Sequence, residues 1–203
     1  MGYIGDNPQS YLDFQGAGSQ PTHGLELAAS SVNFTTESEI DFTIPDRYEL
    51  YEFYFINIHP QSASKFVFQV NTADDTGWDR PISSTFWYTW HKEDGSSVGE
   101  GYEGNLDQGV SDGAFQTLNG DDMNTSADAA LSGVLRLFNP SNDTYSKHFL
   151  GNVQQMNNTS DPGIQNSFAA GYVDTTSPLT AIRFKMASGN MDSGSIYMYG
   201  VKA

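Results

Sequence analysis

The sequence predicts an all-β fold: a β-sandwich of jelly-roll type over residues 25–203, behind an extended N-terminal arm over residues 1–24. Three observations predict it. Short runs alternate apolar and polar residues with period two, are rich in aromatic and β-branched residues, and are bounded by Gly, Asn, Asp and Ser. No stretch carries a sustained helical period; only "NTSADAALSGVLRLF" leans that way, and Gly133 interrupts it, so one helical turn over 127–131 is the most expected. Charged residues are only 17% of the chain against 37% hydrophobic, so much of the surface is neutral polar, as in loop-rich β proteins.

Taken in order, "MGYIGDNPQSYLDFQGAGSQPTHG" is punctuated by Gly and Pro with isolated aromatics, and reads as an arm that docks elsewhere. "LELAASSVNF" and "EIDFTI" are the weaker strand candidates. "ELYEFYFINI" is apolar on both faces, with Leu50, Tyr54, Ile56 and Ile58 on one and Tyr51, Phe53 and Phe55 on the other. Such a strand is central and covered twice. The second cover is either the arm or a neighbouring subunit. Tyr51, Phe53 and Phe55 are therefore the expected oligomer interface, with Trp87 from the outer side of "TFWYTWH".

"KFVFQV" puts Phe66, Phe68 and Val70 on one face, and "TFWYTWH" does the same with Phe86, Tyr88 and Trp90. "GVLRLFN", "KHFLGNV" and "NSFAAGYV" are further strands. "TAIRFKMA" turns Ile182, Phe184 and Met186 inward, and "GSIYMYGV" sets Ile196 and Met198 against Tyr197 and Tyr199. The total is about eight to ten strands, in the range of a sandwich. Residues 71–80 and 93–128 read as loops, the second pinned to the body by Tyr102, Leu106, Val110, Phe115 and Leu118.

Net charge is −16 with nine Lys and Arg, which leaves no basic stripe for phosphates and excludes nucleic acid as a partner. An anionic membrane repels such a chain, and no apolar run is long enough to insert. There is no Cys, hence no disulfide framework or thiolate metal site. "MGYIGDNPQS" lacks a basic region and an apolar run, so synthesis in a cytoplasm without a signal peptide is expected.

Chemistry-bearing patterns are few. The four His stand far apart without ligand spacing, and no nucleophile elbow or phosphate loop is present. "NTADDTGWD" and "NGDDMNTSAD" resemble calcium loops in composition but lack the alternating ligand spacing, and turn chemistry accounts for them. No catalytic residue and no cofactor are predicted; a structural calcium is the alternative for the two acidic loops. Glu52, on an otherwise apolar strand face, calls for pairing with Arg or Tyr, or for a subunit contact. Trp78 and Tyr102, with the acidic pairs Asp74–Asp75 and Asp121–Asp122, make the expected host-glycan contact, since aromatic rings stack on sugar faces and carboxylates accept from hydroxyls.

Two segments resemble a known family. "GYIGDNP" resembles the YIG-x-x-P opening of tailed-phage fibre and virion structural proteins, and "LTAIRFKMASGNMDSGSIYMYGVK" resembles their closing hairpin, with SGN-x-x-SG and a final Tyr-Gly. The resemblance implies a non-enzymatic virion structural protein with Tyr3, Ile4, Gly5 and Pro8 as its anchor to the virion. It implies a homo-oligomer, most often a trimer, with other virion proteins as partners and the loops facing outward. A tail fibre contacting the host surface leads. A capsid decoration (cement) protein is the alternative, and a carbohydrate-active enzyme the third reading.

Overall fold

The computed structural model describes residues 24–75, 77–110, 113–157 and 162–202. It is all-β, with no helix among the described residues. The strands are β1 (Gly24–Glu37), β2 (Ile40–Thr43), β3 (Leu50–Pro60), β4 (Phe66–Thr72), β5 (Ile82–Lys92), β6 (Val98–Tyr102), β7 (Gln116–Thr117), β8 (Leu131–Phe138), β9 (Lys147–Met156), β10 (Gly163–Val173), β11 (Leu179–Met186) and β12 (Met191–Lys202). Two antiparallel sheets pack face to face, one of eight strands ordered β1-β12-β3-β8-β9-β10-β5-β6 and one of four ordered β2-β11-β4-β7. A jelly roll divides eight strands between its sheets; here twelve divide eight to four. Gly24 already lies in β1; the rest of the arm, with Tyr3, Ile4, Gly5 and Pro8, is outside the described residues.

The core lies between the sheets. Phe184 of β11 is its centre, with ring centroids at 5.3 Å to Phe53, 5.1 Å to Phe55, 5.9 Å to Phe66 and 6.2 Å to Phe42. Period-two alternation supplies these residues: Phe66, Phe68 and Val70 of β4 register against Met186, Phe184 and Ile182 of β11 and turn the same way.

Tyr51, Phe53 and Phe55 are 0% exposed and belong to this core. That corrects the expected oligomer interface: their contacts are made within the chain, and a neighbouring subunit cannot reach them. Ile58 joins them, against the sequence expectation. The pairing of β3 with β8 slips between Phe55 and Ile58, and Asn57 takes φ 51°, so one extra residue flips the alternation. Bulges lie at the same height in β12, where Gly194 takes φ 141°, and in β1 between Ser31 and Phe34. Together they form a transverse line of irregularity across the large sheet.

The closing segment is not a hairpin. β11 lies in the four-stranded sheet and β12 in the eight-stranded one, so the Ser-Gly-Asn turn carries the chain across the sandwich. Gly189, at φ 73°, supplies the turn, whereas Gly194 serves the bulge.

The four-stranded sheet is narrower than its partner. Beyond it, residues 118–124 cover the inner face of β9 and β10 through a polar network. Gln155 Nε2 donates to Gln165 Oε1 (2.9 Å) and to Asp121 O (2.9 Å), Asn119 Nδ2 donates to Gln155 Oε1 (2.8 Å), and Gly120 N donates to Ser167 Oγ (3.1 Å). These amides and the hydroxyl are buried and mutually satisfied, which makes them tolerable there. The turn expected over 127–131 is a single bond from Ala129 N to Ser126 O, and Leu131 already opens β8.

Candidate interaction face

The residues expected to contact glycan are separated by the fold. Asp74 and Asp75 sit at the end of the sandwich where β3 begins, Asp121 and Asp122 at the end where it finishes. Each carboxylate is engaged within the chain. Asp74 accepts from Ser177 Oγ (3.1 Å) and Asp75 from Gly77 N (2.8 Å) and from Arg80. The N–H of Gly77 and the Arg80 guanidinium hold Asp75 below the usual carboxylate range. Asp121 accepts from Gln165 Nε2 (2.8 Å), and Asp122 pairs with Lys65 (2.9 Å).

Trp78 is half-buried over the four-stranded sheet, with the Arg183 guanidinium 4.4 Å from its ring centre, so one ring face is closed to a sugar. Arg183 is itself fixed by Asp41 (2.7 Å) and Glu39 (2.7 Å). Tyr102 stands apart on β6, 54% exposed, its hydroxyl donating to Asp107. These six residues do not form one site. Among the described residues no cluster of three or more His, Cys, Asp or Glu is placed to hold a metal ion.

What the fold does gather is the outer face of the eight-stranded sheet. Antiparallel registers place Tyr102, Trp87, Phe168, Asn152, Val134, Tyr54 and Tyr197 in one row from β6 to β12. The next row holds Leu150, Arg136, Glu52, Tyr199 and Leu27. Trp87 is 39% exposed, Phe168 43% and Leu150 49%, and Ile56, Leu27 and Ile164 are also exposed. Trp87 thus stays on an open surface, as expected of it, while its partners in the expected interface do not.

β10 is the most informative strand. Ile164, Phe168 and Tyr172 face out with Asn166, while Gln165 and Ser167 face in with Ala169 and the core residue Val173. The inner polar positions are accounted for by the 118–124 segment that bonds to them. No element of the described chain accounts for the outer apolar ones.

Across β5, β10, β9, β8, β3 and β12 the outward positions carry Asp192 at the start of β12, which faces His59; the exposed His91 and His148; and, directly opposed on β3 and β8, Glu52 and Arg136. They pair: Arg136 Nε donates to Glu52 Oε1 (2.6 Å) and Tyr54 Oη to Glu52 Oε2 (2.6 Å). Burial pulls the Glu52 pKa upward, but the hydrogen bonds from Arg136 and Tyr54, with the Arg136 charge, outweigh it and hold the carboxyl below its ordinary value of 4.5. A depressed carboxyl stabilises the fold above its unfolded pKa, and that contribution is lost as pH falls through the folded value. The wild type is therefore expected to exceed Glu52→Gln in stability at pH 7, with the gap closing as pH falls from 4.5. Urea midpoints of the two proteins across that range measure it; a gap independent of pH would contradict the pairing.

No protein-family model, curated protein or solved structure matches the chain.

The signal for this face was present in the alternation. "NSFAAGYV" carries its two aromatic residues, Phe168 and Tyr172, in one phase and Ser167, Ala169, Gly171 and Val173 in the other, but period two does not say which phase is the core. Lys147 was also missed. It lies in phase with the core residues Phe149 and Val153, is fully buried, and donates from Nζ to Tyr145 O (2.7 Å), Thr176 O (3.1 Å) and Thr175 O (3.3 Å).

Proposed function

We propose that the chain is a non-enzymatic structural component of a tailed-phage virion, of the tail-fibre type, that works by packing against other protein. The observation that carries the reading is the outer face of the eight-stranded sheet: wide and aromatic, poor in charge for a chain of net charge −16, with the central Glu52–Arg136 pair neutralised internally. Depletion of charge with enrichment of aromatic residues is what distinguishes the centre of a protein–protein contact, and an exposed apolar patch of this breadth marks an interaction surface. The resemblance of the opening and closing segments to virion proteins supplies the setting, with Tyr3, Ile4, Gly5 and Pro8 as the anchor. A glycan contact by Trp78 with the four loop aspartates is not part of the reading, because those groups are spread over the molecule and engaged internally.

Electron microscopy of intact particles, with the protein identified by labelling, tests this. Density at the tail is the expected result. Density on the capsid shell would replace the fibre reading by the decoration reading, and absence from washed particles would overturn both. Particles made with a chain lacking residues 1–23 are expected to lose the protein; normal incorporation would remove the anchor assignment.

A further inference from the structure

We infer that residues 9–15 of this chain, the segment "QSYLDFQ", turn back on β1 and add to its free edge as a further antiparallel strand, filling the groove between the two sheets.

Three of the four sheet edges are short. β6 has five residues, β2 four and β7 two, and short edges are one of the usual protections against stray pairing. β1 is different. It runs for fourteen residues with no Lys, Arg or Pro, and only Phe34 along it is buried. Among the described residues no strand pairs with its second edge. A row of backbone N–H and C=O groups is therefore open there, beside the half-exposed Leu25 and Leu27.

β1 and β2 close the two sheets on the same side of the sandwich, and a groove of about 560 Å³ lies between them. Its floor is core: Ile40, Phe42 and Met198. Its β1 side is built of small residues. Ala29 stands opposite Met198 and Ser31 opposite Ile196, so both turn inward, and the groove stays open above them.

The chain carries a matching strand just upstream. Residues 1–23 lie outside the described residues. Within them, 9–15 is the longest stretch free of Gly and Pro. It alternates, with Ser10, Leu12 and Phe14 in one phase and Tyr11, Asp13 and Gln15 in the other. Leu12 and Phe14 turned inward supply the bulk that Ala29 and Ser31 lack, and Asp13, the one charge, then points to solvent. Seven residues at ~3.3 Å each make a strand about 23 Å long, which covers most of β1 from Gly24 to Ser31.

Tethering selects this occupant over a strand from another protein. Residues 16–23, with two Gly and one Pro, join the segment to Gly24, the first residue of β1. A hairpin is the connection that antiparallel neighbours take. Closing so short a loop costs less than bringing in a separate chain. Tyr3, Ile4, Gly5 and Pro8 precede the segment and are not used by it, so the inference is independent of the proposed anchor.

Hydrogen exchange of the purified full chain, followed at single amides by nuclear magnetic resonance, tests this. Slow exchange is expected over 10–15 and at those N–H groups of 25–31 that turn away from β12. Leu12→Asp and Phe14→Asp are each expected to speed exchange at those β1 groups at least about tenfold, the factor that burying one such side chain is worth. Exchange in β3 and β9 is expected to stay as in the wild type, which separates release of the segment from unfolding. Fast exchange of 10–15 in the wild type, or variants that leave β1 unchanged, would overturn the inference. A second measurement identifies the copy. The chain has no Cys, so Asp13→Cys with Ser30→Cys, both in the outward phase, gives two thiols for a short bis-maleimide. Linkage within one chain, at monomer mass, is expected. Linkage only between chains would show that the segment crosses to a second copy, and that result, or no linkage at all, would equally defeat the inference.

Discussion

Phe184→Ala is expected to lower the stability of the fold by about 3–5 kcal/mol, the range for truncating a buried aromatic. Phe184 is fully buried and lies edge-on or tilted to Phe42, Phe53, Phe55 and Phe68, with Phe66 stacked on it. These rings come from β2, β3, β4 and β11, so the cavity opens where both sheets meet. Phenylalanines held in separate strands cannot all move to fill it, and lost edge-to-face contacts add to the transfer cost. A domain of total stability about 5–15 kcal/mol has little to spare against such a loss. The urea midpoint should fall with little change in slope, and Phe184→Leu should cost much less because it keeps most of the volume. A loss below about 1 kcal/mol for the alanine variant would mean that the core is centred elsewhere.

Lys147→Met is expected to cost about 2–3 kcal/mol although it removes a buried charge. Burial lowers the Lys147 pKa, with Asp143 pulling the other way, so the site does not favour the ammonium as such. What the ammonium does is close two loops. It donates to the carbonyl of Tyr145 before β9 and to those of Thr175 and Thr176 after β10. Methionine fills similar space and leaves three acceptors without their donor. Thermal denaturation should show the loss, and proteolytic nicking should appear first in 139–146 and 174–178. An unaffected melting temperature would show that solvent satisfies those carbonyls.

How much of this the sequence discloses depends on what a period of two can encode. It identifies strands such as β11, because Ile182, Phe184 and Met186 alternate with Arg183 and Lys185 and have one possible inside. In β3 both phases are apolar, and the core takes the Tyr51 phase, leaving Leu50, Tyr54 and Ile56 outside. The bulge at Asn57 then moves Ile58 across, which alternation cannot anticipate. β6 and β7 escape a reading of the sequence because "VGEGY" holds two glycines and "QT" is two residues long; pairing with β5 and β4 makes them strands. The residues expected to contact glycan are scattered for a related reason. Residues that share a composition need not share a place, and only the topology sends Asp74 and Asp121 to opposite ends.

The strand order has a consequence for how the protein is made. β12 lies between β1 and β3, and β11 between β2 and β4. While a ribosome is still translating the middle of the message, β1 has no neighbour and the smaller sheet is divided in two. Neither sheet can close until the last strands have been synthesised and have left the exit tunnel. The nascent chain therefore carries Phe53, Phe55, Phe66 and Phe68 uncovered through most of its synthesis, the period in which chaperones hold a chain and aggregation competes with folding.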